Sequence, residues 1–289
     1  MDIQYTVVSA ADRPGHENED AVVVRTVGAD LIAVVADGHG DRGVEGNDPA
    51  AFARFVAEHT AEAMEQPEGE IPAGFDETAR RVVERGFDPR VGCVVAGIRV
   101  SPERGKILVA HAGDVRLYAN VRRSRQPLDR RPGFRVLTRD HTPGRREEDE
   151  RLWPFIQAGQ IKIRESSPLG IGWVMGSQCL CIPGADGMYI LLEPSRGFGD
   201  VPFQPAFTHV PELTTISLEG ALRSAVFALC SDGARRNVGR TFKKFETLGV
   251  PDTLAALGEE FLALHAGRVS GVSSTGEDDA TVVFFRVVW

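Results

Sequence analysis

Apolar residues recur along this chain in two rhythms. Short runs rich in Val, Ile and Ala, bounded by Gly, Asp and Pro, occur at 21–27, 31–36, 91–100, 107–112, 115–120, 188–192, 225–230 and 281–288. Such runs between turn residues predict strands. Three stretches follow helical spacing instead. Asp48-Pro49 offers a cap residue and a first-turn Pro, after which Phe52, Phe55, Val56 and His59 share one face. The stretch 75–87 carries Ala79, Val82 and Val83 on a stripe, and 251–265 carries Leu254, Leu257, Phe261 and Leu264. Strands mostly succeed one another at hairpin spacing, without strict alternation with helices. The predicted class is therefore α+β, helices layered on antiparallel sheets. No repeat or low-complexity linker divides the sequence. Residues 1–289 read as a single domain, with a loop-rich insertion or flap over 143–187, where Gly, Pro and charge interrupt one another.

Composition changes this picture little. The 289 residues are 42% hydrophobic and 26% charged, ordinary for a globular protein. A chain of this length buries roughly 75% of its unfolded surface and needs no disulfides. Cys93 and Cys230 lie in apolar runs, and Cys179-Leu-Cys181 is too lone a pair for a zinc site; all four read as buried thiols. The net charge of −8 argues against a general nucleic-acid binder. No apolar run reaches the roughly 18 residues of a membrane span, and the first residues lack the basic-then-apolar order of a signal peptide. The expectation is a cytoplasmic, monomeric protein without nucleic-acid or membrane partners.

The candidate chemistry lies in the acidic residues that punctuate the strands. The run 31–36 leads into Asp37-Gly38-His39-Gly40, 107–112 into Gly113-Asp114, and 225–230 into Ser231-Asp232-Gly233. Glu19-Asp20 stands just before 21–27, and Asp278-Asp279 just before the last strand. Any one Asp-Gly pair is an ordinary turn, because both residues tolerate positive φ. Five carboxylates at strand ends that converged on one cleft would repel one another strongly. Hard divalent cations, Mg²⁺ or Mn²⁺, resolve such repulsion and prefer oxygen ligands. Glycine lets backbone approach a ligand, and a Gly38 carbonyl can itself coordinate. His39 reads either as a proton donor near neutral pH or as a turn histidine bonded to backbone. Cys93 and Arg99 have the Cys-x5-Arg spacing of cysteine-dependent phosphatases, but their apolar, β-branched surroundings read as a core strand, not a phosphate loop.

The motifs, in order, resemble the type 2C (PPM-type) family of metal-dependent protein serine/threonine phosphatases. Asn18-Glu19-Asp20-Ala21 resembles its first acidic motif, and Val35-Ala36-Asp37-Gly38-His39-Gly40 its Asp-Gly-His-Gly signature. Ala112-Gly113-Asp114-Val115-Arg116 and Arg139-Asp140-His141-Thr142-Pro143 are similar to the next two. Ser195-Arg196-Gly197-Phe198-Gly199-Asp200 with Pro211-Glu212, then Ser231-Asp232-Gly233 and Asp278-Asp279-Ala280-Thr281, are similar to the rest. The resemblance implies an αββα sandwich, two antiparallel sheets flanked by helix pairs, with a metal cleft at one end. It implies hydrolysis of phosphoserine or phosphothreonine in a phosphoprotein substrate by an activated water. It also implies that Asp37 bridges two Mg²⁺ or Mn²⁺ ions, with Asp232 and Asp278 completing one site. Glu19, with its neighbour Asp20, and the Gly38 carbonyl would complete the other. Asp114 would serve a third, weaker ion, and His39 would protonate the departing oxygen.

Three positions depart from the family pattern. Gly15 stands where a phosphate-binding Arg is usual, leaving Arg13 or His16 as substitutes; Arg236 replaces a second Asp after Ser-Asp-Gly; and Asp279 follows Asp278 where Asn is usual. These departures motivate an alternative reading: a pseudophosphatase that binds partners without turnover.

Overall fold

Strand β3 (Asp30–His39) is apolar at every position from 31 to 36 because both of its faces are covered. Leu31, Ala33 and Val35 point into one core, and Ile32, Val34 and Ala36 into another. The two-residue period of a strand makes this division. The computed structural model describes residues 2–12, 15–40, 46–123, 133–165, 178–184, 189–218, 222–248, 254–269 and 278–288. Arg13 lies outside them.

In chain order the elements are β1 (Asp2–Ala10), β2 (Ala21–Val27), β3, α1 (Pro49–Glu65), α2 (Ile71–Arg85), β4 (Gly92–Ser101), β5 (Lys106–Ala112), β6 (Arg116–Arg123) and β7 (Gly133–Val136). There follow α3 (Arg146–Gln157), β8 (Lys162–Glu165), β9 (Gln178–Pro183), β10 (Tyr189–Leu192), β11 (Phe198–Gly199), β12 (Glu212–Ser217), β13 (Leu222–Cys230), α4 (Arg235–Leu248), α5 (Leu254–Val269) and β14 (Ala280–Val288). One sheet has the order β12-β5-β4-β3-β2, with β11 paired to β4; the other has the order β1-β14-β13-β6-β7. Their strand pairs are antiparallel.

The sheets share a core in which Val35, Val94 and Ile98 meet Leu117, Phe227, Leu229 and Phe285. The outer face of the first sheet is covered by α1 and α2 through Phe52, Val56, Ile71 and Phe75. The outer face of the second is covered by α4 and α5 through Val238, Phe242, Leu257 and Phe261. This is the expected layering of helices, two antiparallel sheets and helices.

Asp48 caps α1 as its sequence position indicates, accepting from the Ala51 amide at 2.8 Å. Helix α2 starts four residues earlier than its stripe suggests. Its buried face is Ile71, Phe75, Thr78 and Val82, and Val83 is exposed.

The span 143–187 contains more regular structure than its composition implies. Helix α3 and strands β8 and β9 fall in it; with β10 those strands make a small sheet of order β10-β9-β8. Leu152, Ile161, Leu180 and Leu192 meet Phe203 and Phe207 beneath it. Pro154 inside α3 and a buried Glu148 on its apolar face hide the helical period. Residues 166–177 and 185–188 of this region lie outside the described ones.

Candidate active site

The carboxylates do converge. Glu19, Asp37, Asp114, Asp232 and Asp278 line one cleft of about 680 Å³, together with Gly38, His39, Gly40, Arg90 and Asp200. The strand period places them. Asp37 continues the 31, 33, 35 face and so emerges at the end of the inter-sheet core. Across from it Cys230 ends β13, and the Asp232 amide that follows donates to Asp37 Oδ2 at 3.2 Å. Gly38 takes the alternate face, where a Cβ would stand 2.6 Å from the Glu19 carbonyl oxygen and 2.7 Å from that of Pro49. A side chain there would push the Glu19 segment away.

Asp279, a neighbour of the cleft rather than a wall of it, fixes the approach of the N-terminal motif. It is buried, and its two oxygens accept the Asp12 amide at 2.7 Å and the Glu19 amide at 2.6 Å. Asp20 likewise points into protein structure: Ser231 Oγ donates to its Oδ2 at 2.7 Å. Ser231 in turn accepts the Thr281 amide at 3.0 Å. The first acidic motif, Ser-Asp-Gly and the final Asp-Asp are thus stitched to one another.

This crowding has an electrostatic cost. Burial, then the charges of Asp20, Asp232, Asp278 and Asp114, push the Asp37 carboxyl well above its ordinary range. Burial, then Asp114 and Asp278, raise Asp232 also, Arg235 only partly countering them. Asp20 rises to about 7, chiefly by burial, although hydrogen bonds from Ser231 and Thr281 pull the other way. Asp232 Oδ1 is buried and has no hydrogen-bond partner in the described structure. A buried carboxylate oxygen left in this state asks for a cation. Among the described residues no three His, Cys, Asp or Glu side chains close on a single point.

His39 is no simple turn histidine. Its Nε2 lies 2.7 Å from Asp200 Oδ2. Burial lowers the histidine's proton affinity, but the Asp200 charge and hydrogen bond outweigh it and the net shift is upward. The pair occupies space that only glycine leaves open. A Cβ on Gly92 would overlap Asp200 Oδ2 and stand 2.6 Å from His39 Nε2. Asp200 itself sits at φ 46°, a left-handed conformation that non-glycine residues rarely adopt.

The other expected residues have partners of their own. Asp114 is paired with Arg235, whose Nη2 donates to Asp114 Oδ2 at 2.6 Å and also to the Asp114 carbonyl. Arg116 grips Asp140 through Nε at 2.8 Å and Nη2 at 2.5 Å. Arg236 is exposed, one position away from this network. His16 is exposed, its ring 3.9 Å from Asp12 Oδ1, and does not line the cleft. Cys93 is fully buried in β4 with its thiol pushed upward by burial, and Arg99 donates to the Met64 carbonyl at 2.9 Å. Neither belongs to a phosphate loop.

The sequence profile of protein phosphatase 2C matches residues 29–234. The chain belongs to the protein phosphatase 2C family. With the family comes its enzyme class, protein serine/threonine phosphatase. No curated protein matches the chain in sequence. Solved structures show the family fold at low identity. A serine-threonine phosphatase 2C from Toxoplasma gondii superposes with a TM-score of 0.66 at 14% identity, over 98% of this chain and 94% of that one. The catalytic domain of the phosphatase PstP, solved with two manganese ions, gives 0.54 at 19% identity over 99% of each chain. A C. elegans sex-determining protein gives 0.63 at 18% identity; 98% of this chain is covered, but it spans only 64% of that protein. Against this family background, Asp200 and Arg235 are the residues whose parts in the site no spacing rule pointed to; for Asp279 the strand-end pattern marked the position but not its bonds to Asp12 and Glu19. The signal available for Asp200 was its place in the Ser-Arg-Gly-Phe-Gly-Asp block.

Proposed function

We propose that the chain hydrolyses phosphoserine and phosphothreonine in proteins, using two Mg²⁺ or Mn²⁺ ions held at the end of the inter-sheet core. The observation that carries this reading is the donor set. Glu19, Asp37, Asp232 and Asp278 offer hard oxygen on one cleft, one of those oxygens buried without a partner. These side chains and the Gly38 carbonyl are the ligands that would hold the ions. Such ions, when bound, lower the pKa of a nearby water and clamp the phosphate.

The chain's own groups do the rest. Asp232 is oriented toward Asp37 by its backbone amide, and Asp279 holds the Glu19 segment in place. Asp20 serves as a brace through Ser231. The Asp200 carboxylate accepts from His39 Nε2–H and favours the imidazolium, so the proton given to the departing Ser or Thr oxygen is the one on Nδ1. Asp114 is already satisfied by the permanent charge of Arg235, 2.6 Å away. Two ions per chain, not three, fit this arrangement.

Hydrolysis of a phosphopeptide should require Mn²⁺ or Mg²⁺, vanish with chelator and survive Cys93→Ser. Chelator resistance combined with loss in Cys93→Ser would refute the reading. Binding of Mn²⁺ without turnover would favour the pseudophosphatase. Equilibrium dialysis should count two Mn²⁺ per chain, and a third in Arg235→Ala as Asp114 is released. Three in the unaltered protein would return Asp114 to the ligand set.

A further inference from the structure

We infer that Arg90 is the side chain that grips the phosphate, an inference that rests on the phosphoester reading of this cleft. A phosphate monoester brings up to two negative charges to a cleft lined by seven carboxylates. The ions that balance those carboxylates leave a demand for a cation aimed at the non-bridging oxygens. A planar guanidinium meets that demand best, because its donors match two oxygens at once. Gly15 supplies no side chain, His16 stands outside the cleft, and Arg13 lies outside the described residues.

Among the described residues that line the cleft, Arg90 is the one Arg or Lys. Arg235, Arg116 and Arg196 do not line the cleft; each is bonded to a carboxylate, Asp114, Asp140 and Glu148 in turn, as Arg90 is to Asp88. Arg90 is also held in position. The Asp88 carboxylate accepts its backbone N–H at 2.8 Å, its Nε at 3.0 Å and its Nη2 at 2.8 Å. The Asp200 loop is bonded to the backbone on either side of it, Asp200 N to the Val91 carbonyl at 3.0 Å and Val201 N to that of Pro89 at 2.9 Å. The backbone of Arg90 therefore belongs to the wall that carries Asp200, two residues before the Gly92 that makes room for His39 and Asp200, and Arg90 lines the same cleft as both. An anchored, half-exposed arginine on that wall loses little freedom when a phosphate arrives.

Inorganic phosphate titrated calorimetrically into the Mn²⁺-loaded protein tests this directly. Arg90→Ala should weaken phosphate about 10- to 100-fold, the scale of a lost charged hydrogen bond. It should raise KM for p-nitrophenyl phosphate similarly while leaving the Mn²⁺ affinity within twofold. Arg90→Lys should fall between, keeping charge but not the fork; if Arg90→Ala does not fold, Arg90→Lys carries the comparison. Unchanged phosphate affinity, or a parallel loss of Mn²⁺ affinity, would overturn the inference, as would a Mn²⁺-loaded wild type that binds no phosphate. A wild type that binds phosphate through Arg90 yet turns nothing over would sustain the grip and sink the phosphatase reading. Turnover that is indifferent to Arg90 would do the reverse.

Discussion

Asp37→Asn removes hydrolysis and, at the same time, makes the metal-free protein more stable. The first effect follows from the position of Asp37 among Asp20, Asp114, Asp232 and Asp278, whose charges all bear on it. On the proposed two-ion reading, a group so placed supports both ions. Losing several kcal/mol of charge stabilisation in the transition state, at tenfold per 1.4 kcal/mol, lowers kcat by about 10³-fold or more. The second effect has the same origin. Without cations, burial and four neighbouring charges disfavour the Asp37 carboxylate, and a neutral amide of equal shape can still accept the Asp232 amide. Stability of the chelated protein should rise by about 0.5–2 kcal/mol, a few degrees in Tm. In saturating Mn²⁺ the order reverses, because only the unaltered protein gains the linkage stabilisation of bound ions. Thermal melts of both proteins, with chelator and with Mn²⁺, read this crossing. Two parallel curves, or turnover within tenfold of wild type, would remove Asp37 from the centre of the site.

The layering and most of the cleft were legible in the sequence because they follow from short-range rules. A run such as 31–36, apolar at every position and bounded by turn residues, reads as a strand. Aspartates at the ends of such runs would share a cleft only if those ends converged, and in the fold they do. What escaped were contacts between segments far apart in sequence. Asp200 meets His39 across 161 positions and Asp279 meets Glu19 across 260; no periodicity encodes either. The same holds for Arg235, whose salt bridge to Asp114 looks, in sequence, like one of two adjacent basic residues opening a helix. Helix α3 was hidden for a local reason: its buried face mixes Glu148 with Leu152, so a stripe reader sees polarity where the protein has core. The middle motifs prove to be one another's partners. Arg116 holds Asp140, and Glu212 takes Arg145 at 2.6 Å while lying 3.4 Å from His141 Nε2. Motif order carried information about assembly as much as about chemistry.

Glu148→Gln is the substitution expected to cost the fold most. The Glu148 side chain is wholly buried. Its Oε1 accepts from Arg196 Nε at 2.8 Å and Nη2 at 2.5 Å. Its Oε2 accepts from Ser195 Oγ at 2.8 Å and from Arg151 Nη2 at 2.8 Å and Nε at 3.1 Å. Those two arginines also hold the Ala206 carbonyl at 2.6 Å and the Val210 carbonyl at 3.0 Å. The cluster therefore ties helix α3 to the segment that runs from Ser195 through Asp200 to β12, including the loop that sets Asp200 against His39. An amide keeps the shape but offers one acceptor for five donors and leaves two arginines without their counter-charge. Breaking a buried pair in this way costs about 3–5 kcal/mol. The pH dependence gives an independent measure. Burial alone would raise the Glu148 carboxyl, but Arg196, Arg151 and Ser195 overcome it and hold it at about 2. A carboxyl depressed from 4.5 to about 2 contributes about 3 kcal/mol, present in full above pH 4.5 and lost as pH falls toward 2. The gap in unfolding free energy between wild type and Glu148→Gln, followed by denaturant titration in chelator, should be near 3 kcal/mol or more at pH 7 and narrow steadily below pH 4.5. A gap under 1 kcal/mol at neutral pH, or one that ignores acid, would show that the arginines find other partners and that α3 is held by its apolar contacts alone.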